Sequence, residues 1–346
     1  MKNLIQVFVL SILLLSFFNT AAQNYRNPKA YIADFGKSEL FVKEALMEYS
    51  KSIIEASPDE RIQTTMERIY IKLEDINENL LKNDVGINGD TELRDEFIKL
   101  NNKTILLLKN KALKLNDYIV QSNSDYEDIF KNFSYKEKEI TAYYSDILHY
   151  EKFKKEFGLK YNIVIRNYNS KNVFEYNAYQ NLIFYKLNVL DDKLVTLFKL
   201  KDREKVNECI IHMDNIIIES EYKTREFKGA FEDESLNNIT IELIRFFQNQ
   251  NVYLKELYYK YIEQYLTFQE VKKIVTENDD EKAIAEYNEK VRKFNESKND
   301  FFDSLYENQI LKRELINRWY KTNSLFLKNN IVFEDIYENF IKQKDK

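Results

Sequence analysis

Apolar side chains recur every three or four positions along most of the chain. Examples are Ile62, Met66, Ile69 and Leu73, then Val206, Ile210, Met213 and Ile217, then Leu254, Leu257, Tyr258, Tyr261, Ile262 and Tyr265. This spacing gathers them on one face of an α-helix and predicts a chain of amphipathic helices. Helix ends can be read from caps. Ser57-Pro58-Asp59-Glu60 offers a capping residue, a proline suited to the first turn and a glutamate that closes a capping box. Asp90 or Thr91 after Gly86 and Gly89 opens a further helix, and Ser124 with Glu127, or Ser134 with Glu137, opens the next, which Gly158 closes. The expected helices therefore cover about 30–56, 57–82, 91–121 and 124–158, and then 172–200, 202–227, 234–276 and 279–328. Tyr161–Ile165 and Asn330–Phe333 are expected as short extended connections, followed by a last short helix over 333–343.

The two sets of four correspond. Shifted by 144, Ile62, Met66, Ile69 and Leu73 fall on Val206, Ile210, Met213 and Ile217. Shifted by 143, Gly86, Asp90 and Leu93 fall on Gly229, Asp233 and Leu236. Shifted by 168, Leu159 to Val164 falls on Leu327 to Val332. Order-preserving matches at three places predict an internal duplication. The fold class expected is all-α: two tandem antiparallel helical bundles, elongated, over 23–165 and 166–346, with a long last helix. Ile284, Tyr287, Val291, Phe294, Phe301, Leu305, Leu315, Trp319 and Phe326 follow a seven-residue seam along that helix, interrupted by Lys298, Asn308 and Lys312.

Composition narrows the field. Only 5 Gly and 2 Pro in 346 residues leave too few breaks for a many-turned β fold, and 25 Tyr with 24 Phe supply a large core. A net charge of −5 does not favour nucleic acid. Residues 1–22 read as a secretory leader, with Lys2, an apolar run from Leu4 to Phe18, and Thr20-Ala21-Ala22 before the cut. The mature chain is expected to be exported to the periplasm or cell surface without a membrane span. No cysteine follows the leader to accept a lipid, so it is not expected to be a lipoprotein, and the single Cys209 has no partner for an internal disulfide.

Groups for catalysis are few. His149 and His212 stand outside any Glu-x-x-His pair, and Cys209 with His212 offers two ligands where a zinc site needs more. Gly86 and Gly89 sit beside Asp84 and Asp90, which repel a phosphate, and lysines outnumber arginines in the basic clusters. No cofactor or metal is expected, and no catalytic residues are assigned. The aromatic stripe Tyr253, Leu257, Tyr261 and Tyr265, with Tyr258 beside it, has two readings: a groove for a ligand or peptide, or bundle core with hydroxyls at the rim. Tyr259 lies off the stripe. Tyr253, Tyr258, Tyr259, Tyr261, Tyr265 and Trp319 are the candidate partner or ligand contacts. Asp303-Ser304-Leu305 looks like an acceptor for O-linked sugar at Ser304.

The leader, Asn27-Pro28-Lys29-Ala30-Tyr31, the central Gly89-Asp90-Thr91-Glu92-Leu93-Arg94-Asp95 and the late Trp319-Tyr320-Lys321 with Leu325 to Ile331 resemble a family of uncharacterised bacterial exported or surface proteins built from duplicated helical modules. The resemblance implies an architecture and no catalytic residues. The function expected is a non-enzymatic adaptor or binding module for another envelope or surface protein. The alternatives are a small-molecule or lipid carrier with an aromatic-lined cavity between helices, and a structural spacer that self-associates through its last helix.

Overall fold

The computed structural model describes residues 27–36, 38–39, 41–42, 59–110, 118–165, 172–277, 281–330 and 341–343. The leader over 1–22, the Ser57-Pro58 helix start and most of the linker at 166–171 lie outside these residues. The described chain is all-α apart from one small ribbon. Helix α1 covers 28–36 and is followed by α2 (Asp59–Asn83), α3 (Glu92–Lys109), α4 (Tyr118–Ser122) and α5 (Tyr126–Lys160). After strand β1 (Ile163–Ile165) come α6 (Val173–Leu200), α7 (Arg203–Glu226), α8 (Ser235–Glu277), α9 (Glu281–Asn330) and strand β2 (Ile341–Gln343). Among the described residues no helix is long and apolar enough to cross a membrane.

Helix ends in the second half fall within a residue or two of the expected ones. Asn172 accepts from the Phe174 and Glu175 N–H groups, and Asp202 accepts from Lys205 N–H, so each polar side chain satisfies donors that a first turn leaves free. Three details differ from expectation, two in the first half and one at the C-terminus. The helix expected to run to 121 stops at Lys109 and resumes as α4. Asp125, not Ser124 or Ser134, caps α5, its carboxylate accepting from Asp128 N–H. At the C-terminus, 341–343 are extended rather than helical, because Ile341, Lys342 and Gln343 pair antiparallel with Ile165, Val164 and Ile163 and give the β1 backbone its partners.

The glycine and aspartate matched at a shift of 143 have like geometry in both places. Gly86 and Gly229 both have positive φ, 73° and 72°. Asp90 accepts from Glu92 N–H at 3.1 Å and Asp233 from Ser235 N–H at 3.0 Å, and Leu93 and Leu236 are both fully buried. Each aspartate also reaches the end of the last helix of its own half: Tyr161 Oη donates to Asp90 at 2.6 Å, and Asn330 Nδ2 to Asp233 at 3.2 Å. The halves differ in length, since α3 has 18 residues where α8 has 43.

Two large cores lie along α5, joined by a smaller cluster around Tyr143, Tyr144, Phe174 and Leu327. Tyr150 and Phe157, in its C-terminal part, pack with Tyr31, Phe35, Leu73 and Phe97. Ile129 and Phe133, in its N-terminal part, pack with Tyr185, Met213, Leu243 and Trp319 of the second half. Helix α6 is buried along nearly its whole length, enclosed by α4, α5, α7, α8 and α9. A helix so enclosed must place its polar side chains against partners. Asn177 pairs with Asn323, and Asn323 with Asn181 at 2.9 Å. Lys186 reaches Glu137 and Glu219 at 2.8 and 2.6 Å.

The α2–α3 connection, residues 84–91, carries a two-residue turn at its tip. Ile87 and Asp90 exchange both backbone hydrogen bonds, at 3.1 and 3.0 Å, and Asn88 and Gly89 between them have φ of 54° and 86°, the type I′ arrangement that Asn-Gly favours. At Gly86 an added Cβ would lie 2.0 Å from the Asp90 carbonyl oxygen, whereas at Gly89 it would meet nothing within 4 Å. Gly86→Ala is therefore expected to cost about 3 kcal/mol or more and Gly89→Ala about 1 kcal/mol, read by chemical denaturation.

The two paired aspartates predict acid sensitivity. Burial pushes the Asp90 carboxyl up, but Lys160, Tyr161 and the Glu92 N–H outweigh it, so its pKa lies below the ordinary value. At Asp233 burial is likewise outweighed, by Ser235 and Asn330. A depressed pKa in the folded state adds stability that is complete above the unfolded value and is lost as pH falls through the folded one. Denaturation midpoints should hold down to about pH 4 and then drop, and the drop should be smaller in an Asp90→Asn, Asp233→Asn double variant.

Candidate functional site

Helices α8 and α9 form an antiparallel hairpin. Its register is marked by Glu242 with Arg318, Tyr253 with Ser304 and Lys260 with Asp300. The aromatic stripe of α8 lies along this hairpin, and its members divide in two. Tyr258 and Tyr261 are buried packing residues: Tyr258 lies 4.9 Å from Phe198 and 5.4 Å from Phe301, and Tyr261 stacks on Phe301 at 5.7 Å. Trp319 is also core, stacked on Phe184 at 4.2 Å with its indole N–H donating to Thr240 Oγ1 at 3.1 Å. All three are buried because they sit where α6 and α7 close over the hairpin. The rings expected to line a carrier cavity thus pack on one another.

Tyr253, Tyr259 and Tyr265 reach the surface. Tyr253 is half exposed, with its hydroxyl 3.3 Å from Ser304 Oγ, so the Ser304 side chain lies on a helix face against a ring. Tyr259 donates to Asn207 at 3.1 Å and carries the Arg203 guanidinium on its face at 4.4 Å. Lys201, in the left-handed conformation at the end of α6, covers the Tyr265 ring at 4.2 Å. Each of these contacts is worth about 1 kcal/mol and fixes a ring at the mouth of the α6–α7 turn.

Beyond that turn the hairpin continues without α6 or α7. Residues 266–277 and 281–296 form a two-helix arm of about 20 Å by helical rise. Its seam holds Phe268 stacked on Phe294 at 5.1 Å, with Tyr287 at 5.9 Å from Phe268 and Val271 buried. Two helices cover only one face of each other. Leu266, Ile274 and Ile284 accordingly stay 54%, 51% and 39% exposed. On the same arm Arg292 bridges Glu289 and Glu296 and holds the Glu289 carboxyl down at about 2.

The chemically distinctive residues lie elsewhere. His149 is exposed beside Glu96 at 3.9 Å. His212 lies between the Tyr126 and Phe130 rings, at 4.5 and 4.8 Å. Cys209 is fully buried, its thiol donating to the Leu190 carbonyl at 3.5 Å, and burial pushes it up to about 12, away from thiolate chemistry. Among the described residues no group of three or more His, Cys, Asp or Glu side chains is placed to hold a metal ion. No family model, curated protein or solved structure matches the chain.

One further centre carries no motif in the sequence. Lys312 interrupts the apolar seam of α9, and Asp191 and Asp192 interrupt the apolar run of α6. These interruptions meet. Lys312 Nζ contacts Asp191, which is fully buried, and Asp192 at 3.1 Å, while Gln250 Nε2 donates to Asp191 at 2.9 Å. Burial opposes the Lys312 charge, but the two carboxylates outweigh it and raise its pKa; burial raises Asp192. Two opposite charges, each at an apolar position of its own helix, were the readable signal. Lys312→Met should cost about 3–5 kcal/mol by leaving a buried carboxylate without its cation, whereas Asp191→Leu combined with Lys312→Met should cost clearly less. Equal losses in urea denaturation would show that the pair acts by something other than charge compensation.

Proposed function

We propose that this chain is an exported, non-enzymatic helical adaptor that engages another envelope or surface protein through the α8–α9 arm. The observation that carries the reading is the arm, which among the described residues leaves the body as a two-helix hairpin with Leu266, Ile274 and Ile284 exposed. Exposed apolar side chains grouped on one projecting element are a common feature of docking surfaces, and helix faces are a standard currency of recognition. The rest of the molecule fits a carrier for that element. Helix α9, at 50 residues and about 75 Å, runs from the arm to the base of the second half, where Asn330 meets Asp233. We read the matched Gly–Asp turns as two copies of one unit, and residues 1–22 as the leader that exports it. The packing of Tyr258, Tyr261 and Phe301 speaks for a filled core over a lipid or small-molecule cavity.

The test is crosslinking in the native envelope followed by affinity purification, with the parent chain beside a Leu266→Glu, Ile274→Glu, Ile284→Glu variant. A stoichiometric partner should be recovered with the parent and fall roughly tenfold or more with the variant, whose helicity by circular dichroism should be unchanged. Equal recovery with both chains would remove the arm from the interface, and crosslinking of the chain only to itself would favour a self-associating spacer.

A further inference from the structure

Asn88-Gly89 is the one Asn-Gly pair in the sequence, and it forms the tip of the type I′ turn between α2 and α3. Both residues are exposed. Open space surrounds the position where Gly89 would carry a Cβ, and a glycine nitrogen has no side chain to hinder its approach to a neighbouring carbonyl. The turn's two hydrogen bonds use Ile87 and Asp90, and none of the turn's hydrogen bonds engages the Asn88 carboxamide or the Gly89 N–H.

We propose that Asn88 is a site of spontaneous deamidation, and that its isoaspartyl product opens the latch between α2, α3 and the end of α5. The Gly89 nitrogen adds to Asn88 Cγ; a new C–N bond forms, the Cγ–Nδ2 bond breaks, and ammonia leaves carrying the proton from the Gly89 N–H. The five-membered imide then takes up solvent water. Opening at one carbonyl gives an aspartyl residue, and opening at the other gives an isoaspartyl residue whose main chain runs through Cβ and Cγ. No oxidant or reductant enters. The isoaspartyl product lengthens a two-residue loop by one backbone carbon, and a loop of that size tolerates no such change in register. The Ile87–Asp90 bridge lies at the loop's base, and Asp90 holds Lys160 at 2.7 Å and Tyr161 at 2.6 Å. Both products add a negative charge at residue 88, in the turn that already contains Asp84 and Asp90.

Other asparagines serve as internal controls. Asn162 also has positive φ, but β-branched Ile163 follows it and hinders attack. Asn123 precedes Ser124, and Asn177 and Asn323 are buried within helices.

The full folded chain is aged in mildly alkaline buffer at body temperature, and its peptides are mapped by mass spectrometry. A gain of about one dalton should appear first in the peptide containing Asn88, as two chromatographically separate products, and Gly89→Ala should slow it. Conversion of Asn88 in denaturant but not in the folded chain, or earlier conversion of another asparagine, would overturn the site. Hydrogen exchange at Ile87 and Asp90 tests the consequence. The isoaspartyl fraction should lose protection there, while Asn88→Asp, which adds the charge without lengthening the chain, should keep most of it. Retained protection in the isoaspartyl fraction would overturn the unlatching.

Discussion

Helix α6 can exist only inside the molecule. It is apolar around most of its circumference, and an isolated helix of that kind has no stable state in water. Four neighbouring helices and the short α4 enclose it, so the few polar groups along it decide how those neighbours align. Asp191 can be buried only with Lys312 and Gln250 opposite, and Asn177 only with Asn323 opposite. A one-residue slip of α9 against α6 would leave a buried charge and buried amides unpaired at once. The apolar contacts supply most of the stability, but they tolerate sliding, whereas the polar pairs do not. A second asparagine set, Asn77 with Asn101 and Asn102, makes the same demand on α2 and α3.

From that constraint follows the arrangement of the rest. Because α5 flanks α6 with its N-terminal part and continues past it, its C-terminal part is free to nucleate the first core around Tyr150 and Phe157. At the opposite end, α8 and α9 outlast α6 and α7, and the arm is what remains when two of four helices stop. The exposed apolar residues at the arm therefore have a geometric origin, the end of the cover that α6 and α7 give.

Much of this was legible because helix patterns are local. The helix starts near 172 and 202, the paired Gly86 and Gly229 breaks, and the long last helix follow from residues within a turn or two of each other. What was not legible depends on distant chain. The strand at 341–343 exists because β1 lies beside it, and nothing near Ile341 signals that. The break after Lys109 carries no glycine or proline. Tyr258 and Tyr261 differ from Tyr253 and Tyr265 only in which neighbouring helix covers them, so spacing along α8 placed them on one face without revealing where the cover ends. The Asp191–Lys312 pair was visible only as two interruptions 121 residues apart.

Locked by its buried polar pairs, α6 holds the second core together, and α5, which packs on it, ties the first core into the same cooperative body. Native-state hydrogen exchange tests it most directly. Amides of α6 and of the α5 segment from Tyr126 to Tyr150 should open only with global unfolding and with one common free energy, while those of the arm, 266–277 and 281–296, open first. Opening of α6 at lower free energy than α2 and α3, or two separate unfolding energies on either side of residue 165, would contradict it.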